Sequence, residues 1–125
     1  MTSLDSLYKY GEMEKQNAIA ALAALAQETR LDIFRTLVQA GPGGLPAGAI
    51  GDELAIPSAT LSFHLKELKS AGLLRCERRG RSRIYSPDFA ATRELLAFLT
   101  ANCCEGVGAD AASAEGCVFD VDGGR

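Results

Sequence analysis

Leu61, Leu65 and Leu68 recur at helical spacing. Gly72 follows, and then a run of charged and apolar residues turns about Arg79-Gly80-Arg81. This joint between a short helix and a charged hairpin constrains the chain more than any other stretch. The leucine stripe marks one buried helical face. Glycine is the residue on which helices most readily end, because it enters the left-handed region without a Cβ penalty. Residues 73–78 and 82–85 read as two short strands around a turn. The helix is expected over about 59–71, capped by Ser58. Ile56-Pro57 separates it from a shorter helix over about 47–55, because proline excludes helical geometry from the residue before it.

The flanks are helical as well. Residues 14–26 are rich in strong helix formers, with Ile19, Leu22 and Leu25 three apart and alanines between them, a surface that allows close packing. Residues 29–40 place Leu31, Phe34, Leu37 and Val38 on one expected buried face before Gly41-Pro42-Gly43-Gly44 breaks the helix. After the hairpin, Ser86-Pro87 opens a last helix with proline at its first position. Its apolar face is Leu95, Leu96, Phe98 and Leu99, and it is expected to run to about Cys104. The chain of 125 residues thus divides into one domain over 1–104 and a flexible acidic tail over 105–125 that carries Cys117. The fold class is mainly α with a β-hairpin wing.

Charge sharpens this reading. The net charge of −3 does not advertise a polyanionic partner. Residues 62–85, however, hold seven basic and two acidic residues, a local net of +5, against −8 for the rest of the chain. A local patch sets the electrostatic footprint for nucleic acid. Two short helices with a tight break, followed by a basic hairpin, make a winged helix-turn-helix, whose second helix reads bases with its N-terminal half. Ser58, Thr60, Ser62 and Lys66 are placed to meet base edges and phosphates of double-stranded DNA. Arg79, Arg81 and Arg83 of the wing are placed to meet the backbone or the minor groove. His64, the one histidine, reads equally as a phosphate contact or as a structural residue. The longest apolar run, residues 18–26, is too short for a membrane span, and the N-terminus lacks the pattern of a signal peptide, so a cytoplasmic protein is expected.

The segment Ser58-Ala-Thr-Leu-Ser-Phe-His-Leu-Lys-Glu-Leu-Lys-Ser-Ala-Gly-Leu-Leu, with Arg79-Gly-Arg, Ile84-Tyr85 and the upstream Leu25-Ala-Gln-Glu-Thr-Arg-Leu-Asp-Ile-Phe, resembles the ArsR/SmtB family of metal-responsive repressors over residues 18–104. The resemblance implies a homodimer that pairs through its first and last helices and leaves its operator when a metal or metalloid binds. Two of the family's sites are absent. Residues 47–55 hold no cysteine, and the last helix holds no histidine. The adjacent pair Cys103-Cys104, with Cys117 downstream, instead resembles the arsenite-responsive subgroup. The implied inducer is arsenite, As(III), with Sb(III) as a related ligand.

The chemistry runs parallel to the resemblance. Soft thiolates select soft ions. Adjacent residues on a helix point about 100° apart, so Cys103 and Cys104 can share one ion only where the helix end unwinds, beside Gly106 and Gly108. The negative end of a helix disfavours thiolates, which favours a thiophilic ion over peroxide as the signal. Cys76 reads as a small core residue. An alternative of the same fold is a redox or sulfide sensor in which Cys117 pairs with Cys103 or Cys104. An enzyme is disfavoured: there is no Cys-x-x-Cys, no phosphate-binding glycine loop and no acid–base cluster around the one histidine.

Overall fold

The computed structural model describes residues 13–106. In chain order the elements are α1 (Lys15–Leu25), α2 (Glu28–Ala40), β1 (Leu45–Pro46), α3 (Ala47–Leu54), α4 (Ser58–Ser70), β2 (Leu74–Arg79), β3 (Ser82–Pro87) and α5 (Phe89–Leu99). The strands form one antiparallel sheet in the order β1-β3-β2.

The core gathers one face from each helix. Ala18, Ala21 and Ala24 are the buried residues of α1, so the small side chains face inward and bring α1 close to α2 and α4. Ile19 and Leu22 point outward. In α2 the buried set is Ile33, Phe34 and Leu37, whereas Leu31 and Val38 are exposed. The buried face is therefore rotated from the expected one: Leu31 and Val38 share the helical spacing, but Ile33 takes the inward position. In α4, Leu61, Leu65 and Leu68 are buried as the stripe requires.

The end of α4 follows the expected chemistry closely. Gly72 has φ +84°, its N–H donates to Lys69 O, and the Leu73 N–H donates to Leu68 O. This pair of bonds satisfies carbonyls the helix would otherwise orphan, and Leu68 and Leu73 are both fully buried across it. The start of α4 differs from expectation. Pro57 is the N-cap and Ser58 is the first helical residue, with no side-chain cap.

The hairpin pairs Arg79 with Ser82 across Gly80-Arg81. The third strand, β1, is too short and too proline-interrupted to be visible as a period in the sequence. It pairs Leu45 with Tyr85. Gly44 makes this possible: its φ is +74°, and a Cβ there would sit 2.5 Å from the Tyr85 carbonyl oxygen.

The last helix starts and ends elsewhere than expected. Pro87 belongs to β3, opposite Leu74. Asp88 is the N-cap of α5, its Oδ1 accepting from the Ala91 N–H at 3.0 Å. The helix stops at Leu99, with Thr100 as C-cap. Its apolar residues divide: Leu95 is buried and Phe98 packs on the core, while Leu96 and Leu99 face outward.

Candidate nucleic-acid interface

The pair α3–α4 is a helix-turn-helix. Ala55, at φ 56°, closes α3, and Ile56-Pro57 forces the chain out of helical geometry before α4 begins. The helices pack closely because Gly51 faces the junction: a Cβ there would lie 3.2 Å from Ile56 O and 3.4 Å from Leu61 Cδ2. Helix α4 packs on β2, so the hairpin is carried by the same core residues that fix the helix.

Ser58, Thr60, Ser62 and Lys66 are all exposed on α4, and Arg79, Arg81 and Arg83 are all exposed on the hairpin. The remaining basic residues of this segment, Lys69, Arg75 and Arg78, are exposed too. The one ion pair recorded here joins Arg79 to Glu77 at 3.5 Å. Both side chains are more than half exposed, so the pair contributes little and leaves Arg79 available. The positive patch read from the sequence is therefore a solvent-facing surface of one helix and one hairpin.

His64 is not part of it. It is 8% exposed and lies in the core, with Arg30 Nη1 donating to its Nδ1 at 3.2 Å. Of its two expected roles the structural one describes its position in this fold. Burial, reinforced by the Arg30 charge, holds its pKa below the ordinary 6.5 against an opposing pull from Glu67. Arg30, which the sequence shows only as one residue of the Leu25–Phe34 segment, also donates from Nε to Ala24 O at 2.8 Å, and its own N–H donates to the side chain of the α2 N-cap, Gln27. Through its backbone N–H and its guanidinium, Arg30 thus ties the start of α2 to the end of α1 and the middle of α4. Nothing in the sequence around Arg30 signals a partner 34 positions away.

Cys103 and Cys104 follow α5 rather than closing it. Residues 100–106 form consecutive turns in which Asn102 and Cys104 take positive φ values of 58° and 66°. This geometry brings Cys103 Sγ to 3.1 Å from Cys104 Sγ, although neighbouring residues on an unbroken helix could not face each other. The pair lies just beyond the C-cap of α5, with the Cys103 N–H donating to Thr100 O at 3.1 Å. Cys103 carries a free thiol, and Cys104 is disulfide-bonded. Among the described residues no group of three His, Cys, Asp or Glu side chains is arranged to hold a metal ion. Cys117 lies outside the described residues. Cys76 is half-buried on β2, opposite Tyr85.

Known proteins share this arrangement. A family model described as a helix-turn-helix domain matches residues 25–77. An uncharacterized HTH-type transcriptional regulator, YceK of Bacillus subtilis (strain 168), is 38% identical over 63 residues, 50% of this chain and 62% of that protein. The chain thus matches less than two thirds of this curated relative's length. Among solved structures, an ArsR-like transcriptional regulator from Rhodococcus sp. RHA1 superposes with a TM-score of 0.61 at 25% identity, covering 67% of this chain and 76% of that one. A homodimeric winged helix-turn-helix DNA-binding domain of Mb0332 from Mycobacterium bovis, a possible ArsR-family regulator, gives 0.56 at 28% identity over 70% and 81%. HlyU from Vibrio cholerae N16961 gives 0.55 at 30% identity over 70% of this chain and 97% of that one. No helix among the described residues is long and apolar enough to cross a membrane, and regulators of this kind are not enzymes. With the same helix pair, the same wing and nearly all of HlyU's length in common, the chain belongs to the ArsR/HlyU-like family of winged helix-turn-helix transcriptional regulators.

Proposed function

We propose that the protein is a dimeric, operator-binding repressor that trivalent arsenic releases from DNA through the Cys103-Cys104 turn. Helix α4 lies in the major groove with Ser58, Thr60, Ser62 and Lys66 toward bases and phosphates, and Arg79, Arg81 and Arg83 hold the backbone. The homodimer forms through α1 and α5, which pack on each other and together leave four large apolar side chains uncovered. These are Ile19, Leu22, Leu96 and Leu99, each between 42% and 59% exposed. The matching Mycobacterium bovis domain is a homodimer, and a two-fold protein implies a two-fold operator.

The observation that carries the ligand is the 3.1 Å approach of the two sulfurs in a turn outside the helix. The turn sets the two sulfurs side by side with Cys104 oxidised, and reduction of that disulfide leaves both available as thiolates for one soft ion, with a third thiolate completing a pyramidal As(III) site. Cys117 is the third ligand in this reading. A second reading is favoured by the disulfide at Cys104: oxidation of the same thiols is then the signal. The two readings separate in one experiment. Operator-bound protein, kept reduced with a phosphine, is treated with arsenite or, after the phosphine is removed, with peroxide. Release by arsenite and not by peroxide is the expected result. Release by peroxide alone makes the protein a redox sensor. A Cys117→Ser variant that loses the arsenite response identifies three-thiolate binding, and one that keeps it leaves the ion on Cys103 and Cys104.

A further inference from the structure

We infer that Phe63 reads DNA sequence: its ring meets the C5-methyl group of a thymine, making one A·T pair in each half-site a specificity position. The inference rests on the operator-binding reading above. Phe63 is 55% exposed in the middle of α4, a helix that buries Leu61, His64, Leu65 and Leu68. At 3.6 residues per turn these four mark the inward side, and Phe63 falls nearly opposite them. Ala59 lies one turn before it and Lys66 one turn after it on the same outward side. The ring therefore stands at the centre of the surface offered to the groove, closer to its midline than Ser62 or Thr60.

Its orientation is supported by a neighbouring ring. The Phe63 ring meets the His64 ring edge to face, with centroids 5.4 Å apart and planes at 62°, and His64 is itself anchored by Arg30. Nothing in the core needs this phenyl group, which stands out of the leucine stripe into solvent. The chemistry of its surroundings then selects the occupant. Ser62 and Lys66 can hydrogen-bond to base edges or phosphates, and a phenyl ring cannot. The apolar feature that base pairs display in the major groove is the thymine methyl.

Deoxyuridine keeps every hydrogen-bonding group of thymine and removes only that methyl. The test begins with duplexes enriched from a random pool by the full chain, then replaces each thymine in turn with deoxyuridine. At one thymine per half-site the wild type should lose about fourfold in affinity, the effect of one buried methyl of about 0.8 kcal/mol at 1.4 kcal/mol per tenfold. Phe63→Ala should bind the thymine and deoxyuridine duplexes equally, and Phe63→Leu should keep part of the difference. Because the side chain is exposed, both variants should melt within a few degrees of wild type. The inference is overturned if no thymine shows a methyl effect in the wild type, or if Phe63→Ala retains the full effect. Failure of the pool to enrich any duplex overturns the operator-binding reading itself, a result distinct from enrichment without methyl sensitivity.

Discussion

An arginine guanidinium has donors and no acceptor, so the 3.2 Å contact between Arg30 and His64 requires a lone pair on Nδ1 of the histidine. The ring is therefore neutral, with its proton on Nε2. Protonation at Nδ1 would set two donors and two positive charges against each other in a buried position. The pH dependence follows with a definite sign. The folded pKa lies below the unfolded 6.5, so in that window the unfolded chain binds more protons. Stability is fully present above pH 6.5 and declines as the pH falls toward the folded value. The melting temperature should drop more between about pH 7.5 and 5.5 in the wild type than in His64→Asn; equal slopes would contradict the assignment. Gly44 supplies a second residue-scale test. Gly44→Ala places a methyl group 2.5 Å from Tyr85 O at a φ of +74°, which should cost about 1–3 kcal/mol in denaturant unfolding. Neither feature was legible in the sequence. The glycine run could be read as a break, but its close approach to β3 and the meeting of Arg30 with His64 are tertiary events.

At the scale of elements, the sequence was clearest where one rule acts alone. The α4 stripe and its end at Gly72 were legible because spacing and a left-handed cap point the same way. Helix α2 was misphased because Leu31 and Val38 satisfy the apolar pattern yet face outward. The expected proline start of α5 failed because Pro87 completes the pairing of β3 with β2, leaving Asp88 to cap the helix. Asp88→Ala should therefore destabilise the protein by about 1 kcal/mol, seen as a lower denaturation midpoint with an unchanged slope. The wing is tested differently. Replacing Arg81 or Arg83 with alanine should weaken binding to all duplexes and lower the salt slope by about one for each arginine–phosphate pair removed. Substituting Thr60 or Ser62 should instead change sequence preference at nearly constant slope. Identical behaviour of the two sets would contradict the division of labour between wing and helix.

At the scale of the whole molecule, the regulatory idea depends on coupling between ends of the chain that the sequence shows only as separate patterns. The Cys103-Cys104 turn follows α5, α5 packs on α1, and Arg30 fastens the end of α1 to the middle of α4. A displacement of α5 or α1 by a bound ion thus has a physical route to the recognition helix. The same two helices carry the outward apolar face, so Leu96→Glu should yield monomers by light scattering and weaken operator binding, whereas a variant that remains dimeric would move the interface elsewhere. The most direct test measures operator affinity of the reduced protein with and without saturating arsenite, for the wild type and the Cys103→Ser, Cys104→Ser double variant. The expected result is a loss of roughly 5- to 150-fold for the wild type, a coupling of about 1–3 kcal/mol, and no change for the double variant. Equal release of both proteins by arsenite would contradict the account.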